Sequence, residues 1–428
     1  MEPAGYISPQ ALHLHPFMLT EECVLLSRRK RSLGLAVAAV LAAAGVTSCS
    51  GGAGSSGSSA TCESPGITPD MVNLGLVVTD SGVGSTAFAS ARSGIDARIG
   101  QANEEGGVHG RQIAYEWHDD ANSPAQSDRV VEEFLRDNSV FGLMAVTLAL
   151  GESIDTMSAL RVPVVGYGLP TWASHTNMFS NLSSAAPTTL GRYIQANGGT
   201  KVGVVMTGAS ASTIPVIDRY NEAFRSIGLT TTETIQFSSA TDNPARVVQQ
   251  LASDDVNALV AFTVPEDLAR IMQAARQSDL SLTSAVSFTG YDRSVLSALG
   301  PQLSGVSFPV YFLPFEAGGP AIDRYRDGMT RFAPETVQTD QRYALNSYIY
   351  ADMFLRGLDL AGECPTREGF IDALRKVSDY DAGGLIEPVN LANNATEPLN
   401  CHAFVKINPA GTAFDVVRKR LCADGTGS

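Results

Sequence analysis

The run Gly82-Val83-Gly84-Ser85-Thr86-Ala87 fits G-x-G-x-x-A, a spacing that lets a turn bring its backbone against a pyrophosphate. In such a site an acid at the end of the second strand, about 20 residues on, holds the ribose. Here the corresponding acids are Asp119 and Asp120, about 37 residues after Gly82, because the intervening helix is long. The glycines are better explained as residues that let a ligand or a helix come close. No G-x-S-x-G occurs, so a serine hydrolase would lack its nucleophile elbow. His118-Asp119-Asp120 has the residue types of a metal site but reads as a solvated strand end leading into a helix cap. None of the six cysteines has C-x-x-C spacing, so no zinc site is expected. The reading is a non-enzyme with no metal and no cofactor, a nucleotide-dependent oxidoreductase being the catalytic alternative.

These residues sit on elements of a definite kind. Leu74-Gly75-Leu76-Val77-Val78 is a continuous apolar run, as in a strand buried on both faces. A helix is predicted over 85–105, with Phe88, Ala91, Ile95, Ile99 and Ala102 as its apolar stripe. A second strand over 112–117, a proline-started helix from Ser123, and strands over 140–145 and 162–166 follow. After a linking segment over 169–190 the pattern restarts, with strands over 202–206, 231–237, 258–262 and 284–288. Asn122-Ser123-Pro124-Ala125 in the first half is echoed by Asp242-Asn243-Pro244-Ala245 in the second. Two doubly wound α/β units are the simplest account. Pro309 and Pro314 mark 305–313 as an edge or crossing strand. Three helices over 319–332, 341–360 and 366–377 and a strand pair near 404–417 complete the chain.

The chain has 428 residues and a formal net charge of −14, which excludes nucleic acid as an electrostatic partner. Arg28-Arg29-Lys30-Arg31 followed by uncharged Leu33–Gly45 reads as an export signal, too short for a spanning helix. Val46-Thr47-Ser48-Cys49 resembles a bacterial lipobox, which makes Cys49 the lipidated residue and 1–48 the leader. Residues 49–65 form a Ser/Gly-rich tether. Cys62, Cys364, Cys401 and Cys422 then remain, an even number in an exported protein. Of three possible pairings, Cys364 with Cys401 and Cys62 with Cys422 is the expectation, tying the start of the fold to its end.

Gly66-Ile67-Thr68, the helix end Asn103-Glu104-Glu105-Gly106-Gly107-Val108-His109-Gly110-Arg111, and Asp119-Asp120-Ala121-Asn122-Ser123-Pro124 resemble the opening of the leucine/isoleucine/valine-binding family. Phe288-Thr289-Gly290-Tyr291-Asp292 resembles the same family's turn after a late strand. The resemblance implies a type I periplasmic-binding-protein fold, in which two Rossmann-like lobes joined by three crossings close on a solute. It assigns 66–190 and about 314–385 to lobe one, and 191–313 and about 386–422 to lobe two. It implies an extracytoplasmic, lipid-anchored receptor that hands an amino acid or related, partly apolar solute to an ABC permease. A ligand sensor of the same fold is the alternative. The site residues it implies are Asp80, Ser81, Thr147, Leu148, Tyr167 and Gly168 from lobe one. From lobe two it implies Ser210, Ser212, Thr263, Tyr291 and Asp292, the last as the acid that holds an ammonium. The loop Thr147-Leu148-Ala149-Leu150 departs from the family's hydroxyl-rich pattern, so the usual grip on a carboxylate is altered.

Overall fold

The structure, a computed structural model, describes residues 62–82, 84–181, 185–207, 213–392 and 398–427. The expected leader, Cys49, most of the tether, Ser210 and Ser212 lie outside the described residues. No helix among the described residues is long and apolar enough to cross a membrane.

The first sheet comprises β1 (Met71–Val78), β2 (Gln112–Asp119), β3 (Leu143–Val146), β4 (Val164–Gly166) and β5 (Met178–Phe179). All are parallel, in the order β2-β1-β3-β4-β5. Side chains of β1 alternate between two cores, as strand geometry requires. Leu74, Leu76 and Val78 face a core shared with Ile95 and Ile99, while Val77 joins Val130, Phe134 and Met157 on the other face. The helices responsible are α1 (Ser85–Phe88), α2 (Ala91–Glu104), α3 (Pro124–Arg136) and α4 (Ser153–Ala159). The predicted helix over 85–105 is thus broken at Ala89 and Ser90, although all five residues of its apolar stripe are buried.

A second sheet, parallel except for its last two strands, repeats the plan after α5 (Pro187–Ala196). Its members are β6 (Lys201–Met206), β7 (Thr230–Thr231), β8 (Ile235–Gln236), β9 (Ala258–Phe262), β10 (Ser284–Ser287), β11 (Val306–Val310), β12 (Cys401–Ile407) and β13 (Phe414–Cys422). The order is β13-β12-β11-β10-β9-β6-β7, with β8 also on β6. Its helices are α6 (Thr213–Ser226), α7 (Pro244–Ser253), α8 (Pro265–Gln277) and α9 (Arg293–Leu299). In α7, Asn243 caps the helix through Ala245 N and Pro244 takes the first turn. The strand predicted over 231–237 is two short pieces. Pro309 lies in an interior strand rather than at an edge. Pairing of β11 with β10 ends at Ser307, so the missing N–H costs that ladder nothing.

Three more helices, α10 (Pro320–Phe332), α11 (Arg342–Ala361) and α12 (Arg367–Leu374), leave the second sheet after β11. Both α10 and α11 pack on α2, and α11 also reaches β3 and β4. Gly94 permits this approach, because a Cβ there would stand 1.8 Å from Ala344 O. The chain therefore passes between the two sheets three times: after β5, after β11 and before β12. These passages are tied together by Leu313 N to Leu385 O at 2.7 Å and Ala186 N to Leu399 O at 2.9 Å.

All four cysteines of the folded part are bonded, but the pairs are Cys62–Cys364 and Cys401–Cys422, not the expected ones. Strands β12 and β13 extend further than their sequence pattern indicates, which sets Cys401 opposite Cys422 in register. Cys62 is led to the loop after α11 by Ser64 Oγ to Pro365 O at 2.7 Å and Arg111 Nη1 to Glu363 O at 2.7 Å.

Candidate functional site

The turn after β1 is closed by the acids after β2. Asp119 Oδ1 accepts from the backbone N–H groups of Asp80, Ser81 and Ala121, and its other oxygen takes the Ser81 hydroxyl. Burial opposes ionisation of Asp119, but the Ser81 hydroxyl and these N–H groups outweigh it and hold the carboxyl below the usual range. A carboxylate of the chain itself thus occupies the donors that a phosphate would need. Gly82 takes φ +81°, and a Cβ there would stand 2.3 Å from Ala121 O. Its role is close packing of two loops, and α1 behind it is a single turn. The arrangement does not fit a dinucleotide.

Asp120 is fully buried at the same edge. Thr79 Oγ1 donates to it at 2.8 Å and Thr147 Oγ1 donates to its second oxygen. Thr147 Oγ1 also accepts from Ala149 N at 2.9 Å. The Thr147 hydroxyl, expected to grip a ligand, is thus engaged by a buried acid and a neighbouring N–H. Leu148, the next residue, is 51% exposed.

Aromatic side chains gather where the carboxyl ends of both sheets meet α11. Phe88 meets Tyr343 edge-on at 4.7 Å and Tyr167 at 6.2 Å. From the second sheet, Phe262 stacks on Phe288 at 4.6 Å, and Tyr220 meets both edge-on. Arg342 joins the two groups. Its Nη1 donates to Phe288 O at 2.6 Å and its guanidinium lies 5.5 Å from the Tyr311 ring centre. Burial pushes the Tyr311 hydroxyl up to about 12, and that of Tyr343 up as well, so both are neutral donors at ordinary pH. Tyr167, Phe262, Phe288, Tyr311, Arg342 and Tyr343 all keep partial exposure.

Asp292, expected to meet an ammonium, instead accepts the backbone N–H of Arg342 through Oδ1 at 2.7 Å. Burial raises its carboxyl to about 6, against the Arg342 N–H and charge that lower it. Tyr291 leaves the candidate set. It is 1% exposed, its hydroxyl donates to Glu316 at 2.6 Å and accepts from Phe315 N, and its ring packs among Phe312, Phe315 and Phe414. Thr263 is buried at the end of β9, with no partner for Oγ1 among the described residues. Gly168 is buried and its N–H reaches Ser180 Oγ at 3.2 Å. Asp80 and Ser81 are exposed at the lip.

The profile of a family described as periplasmic binding protein matches residues 71–412. The chain belongs to the periplasmic binding protein family. Among curated proteins none matches by sequence. Solved structures share the fold at low identity. A fatty acid ABC transporter substrate-binding protein from Thermomonospora curvata is 18% identical with a TM-score of 0.70, over 85% of this chain and 96% of that one. A branched chain amino acid ABC transporter protein from Thermus thermophilus with bound valine is 17% identical with a TM-score of 0.69, over 82% and 97%. A solute binding protein of an ABC transporter from Rhodopseudomonas palustris BisB5, in complex with 3,4-dihydroxy benzoic acid, is 16% identical with a TM-score of 0.68, over 83% and 98%.

In this periplasmic binding protein the residues that sequence reasoning missed are Arg342, Tyr343 and Tyr311. One signal was present. A cation at the first position of a long helix opposes the helix macrodipole and needs another reason to be there. His402 was also missed. It is 4% exposed, lies 5.0 Å from the Tyr311 ring, and burial together with the Arg342 charge pushes it down to about 3. It borders a cavity of about 150 Å³ beside the chain passages, lined also by Leu313, Leu385 and Arg420.

Proposed function

We propose that this protein is the extracytoplasmic receptor of an ABC importer, held at the membrane by lipid on Cys49, and that it closes on a small, partly apolar organic solute. The lobes are 66–190 with about 314–385, and 191–313 with about 386–422. The packing of α10 and α11 on α2 supports this division. The observation that carries the reading is the gathering of partly exposed aromatic side chains from both sheets near Arg342. Three of the six exposed large hydrophobics among the described residues, Leu148, Ile214 and Val264, follow β3, β6 and β9 at the same strand ends. An apolar cleft with few polar anchors is the usual form of a small-molecule site. The function is capture rather than catalysis, since Asp119, Asp120 and Asp292 are all engaged in holding turns and a helix start. The names of similar structures range from a fatty acid to an amino acid and a dihydroxybenzoic acid, so ligand class has to be read from this chain's own residues.

A thermal-shift screen with amino acids, amides, aromatic acids and aliphatic acids tests the reading. A ligand present at a hundred times its dissociation constant adds about 2.7 kcal/mol of stability, enough to move the melting temperature by several degrees. A broad panel in which nothing moves it would count against a receptor.

A further inference from the structure

We infer that the cleft selects an organic monocarboxylate with an apolar body, bound through the Arg342 guanidinium. This rests on the receptor reading above and names its ligand class.

Arg342 has unused capacity. A guanidinium offers five N–H donors, and Nη1 to Phe288 O is the hydrogen bond its side chain makes among the described residues. No carboxylate among them approaches it within 4.0 Å, whereas Arg293, Arg326 and Arg98 all have such partners. Position strengthens the case. Arg342 is the first residue of the 20-residue α11, where a positive charge opposes the helix dipole and an arriving anion would relieve it.

The opposite lip is unsuited to a carboxylate. Thr147, the hydroxyl that the family resemblance assigns to that role, is tied to the buried acid Asp120, which would repel an anion. Of the acids at these strand ends, the exposed Asp80 at the first lip is the one left to meet an ammonium. Asp292 is turned to the helix backbone, Asp119 closes the first turn, and Glu316 is held by Tyr291 and Arg293. The Tyr311 ring lies beside the Arg342 guanidinium, Phe288 accepts its hydrogen bond and Tyr343 is the next residue, and Leu148 and Val264 stand exposed just after β3 and β9. A flat or aliphatic body suits these walls.

Calorimetric titration of the purified protein with benzoate, octanoate, benzamide and L-leucine tests this. Benzoate or octanoate should bind one to one, and whichever binds tells whether the body is aromatic or aliphatic. Benzamide, which keeps the shape of benzoate without its charge, and L-leucine should bind about 100-fold more weakly than the preferred carboxylate. Arg342→Gln should weaken the carboxylate by a similar factor and leave benzamide within about threefold, and Arg342→Lys should recover part of the loss. The wild-type comparison of charged and neutral ligands stands even where Arg342→Gln fails to fold. Preferential binding of L-leucine, equal binding of benzoate and benzamide, or undiminished carboxylate affinity in a folded Arg342→Gln protein would each overturn the inference while leaving a receptor in place. Failure of all four, together with a silent solute panel, would remove both readings.

Discussion

Asp292 and Arg342 share one helix start: the acid takes the backbone N–H and the base projects from the same residue. The acid has a thermodynamic consequence. Burial raises the Asp292 carboxyl to about 6 in the folded protein, above its ordinary value of 3.8. Between those values the folded state binds more protons than the unfolded state, so this group's contribution falls as pH rises through the window and is level above it. Asp292→Asn keeps an acceptor for the Arg342 N–H and removes the titration. Urea denaturation from pH 4 to 7 should show the wild type losing on the order of 2–3 kcal/mol relative to the variant. Parallel pH profiles would contradict the assignment. The sequence marked Asp292 by its place in a strand-end turn, and that much was legible. Tyr291 was not separable from it by sequence. In an extended segment neighbours point to opposite sides, and Asp292 is extended at φ −146° and ψ 142°, so Tyr291 enters the core. Arg342 carried a local signal, a cation at a helix start, but its partners were illegible: it lies some fifty residues from the turn it touches, and only the return of α11 to the first sheet brings them together.

Among the elements, those with strong periodicity were readable. The strands β1, β6 and β9 and the proline-started helix α3 fall within a few residues of their sequence patterns, because each is fixed by local chemistry. Elements set by distant partners were not. The break between α1 and α2 accompanies the packing of Phe88 on Tyr343, and the full length of β12 and β13 comes from pairing with β11 and with each other. That extra length decides the disulfides. Peptide mapping without reduction should recover Cys62–Cys364 and Cys401–Cys422; a peptide joining Cys364 to Cys401 would contradict the register. Replacing Cys401 and Cys422 together by serine should cost about 3 kcal/mol on denaturation, as expected for closing a loop of this length in the chain-entropy model.

On the scale of the molecule, the disulfide pairing bears on mechanism. The pairing expected from sequence would have stitched the two sheets together twice. The observed bonds do not: Cys62–Cys364 lies with the first sheet and its helices, and Cys401–Cys422 lies within the second. The three chain passages are left as the covalent links between the sheets, and relative motion is restrained by hydrogen bonds such as Leu313 N to Leu385 O rather than by sulfur. Such a molecule can close on a ligand that binds the closed form more tightly than the open one. The most direct test of this account is small-angle X-ray scattering of the purified protein with and without a saturating ligand found in the screen. We predict a smaller radius of gyration in the one-to-one complex than in the free protein. An unchanged radius at proven one-to-one saturation would contradict capture by closure of a cleft between two lobes.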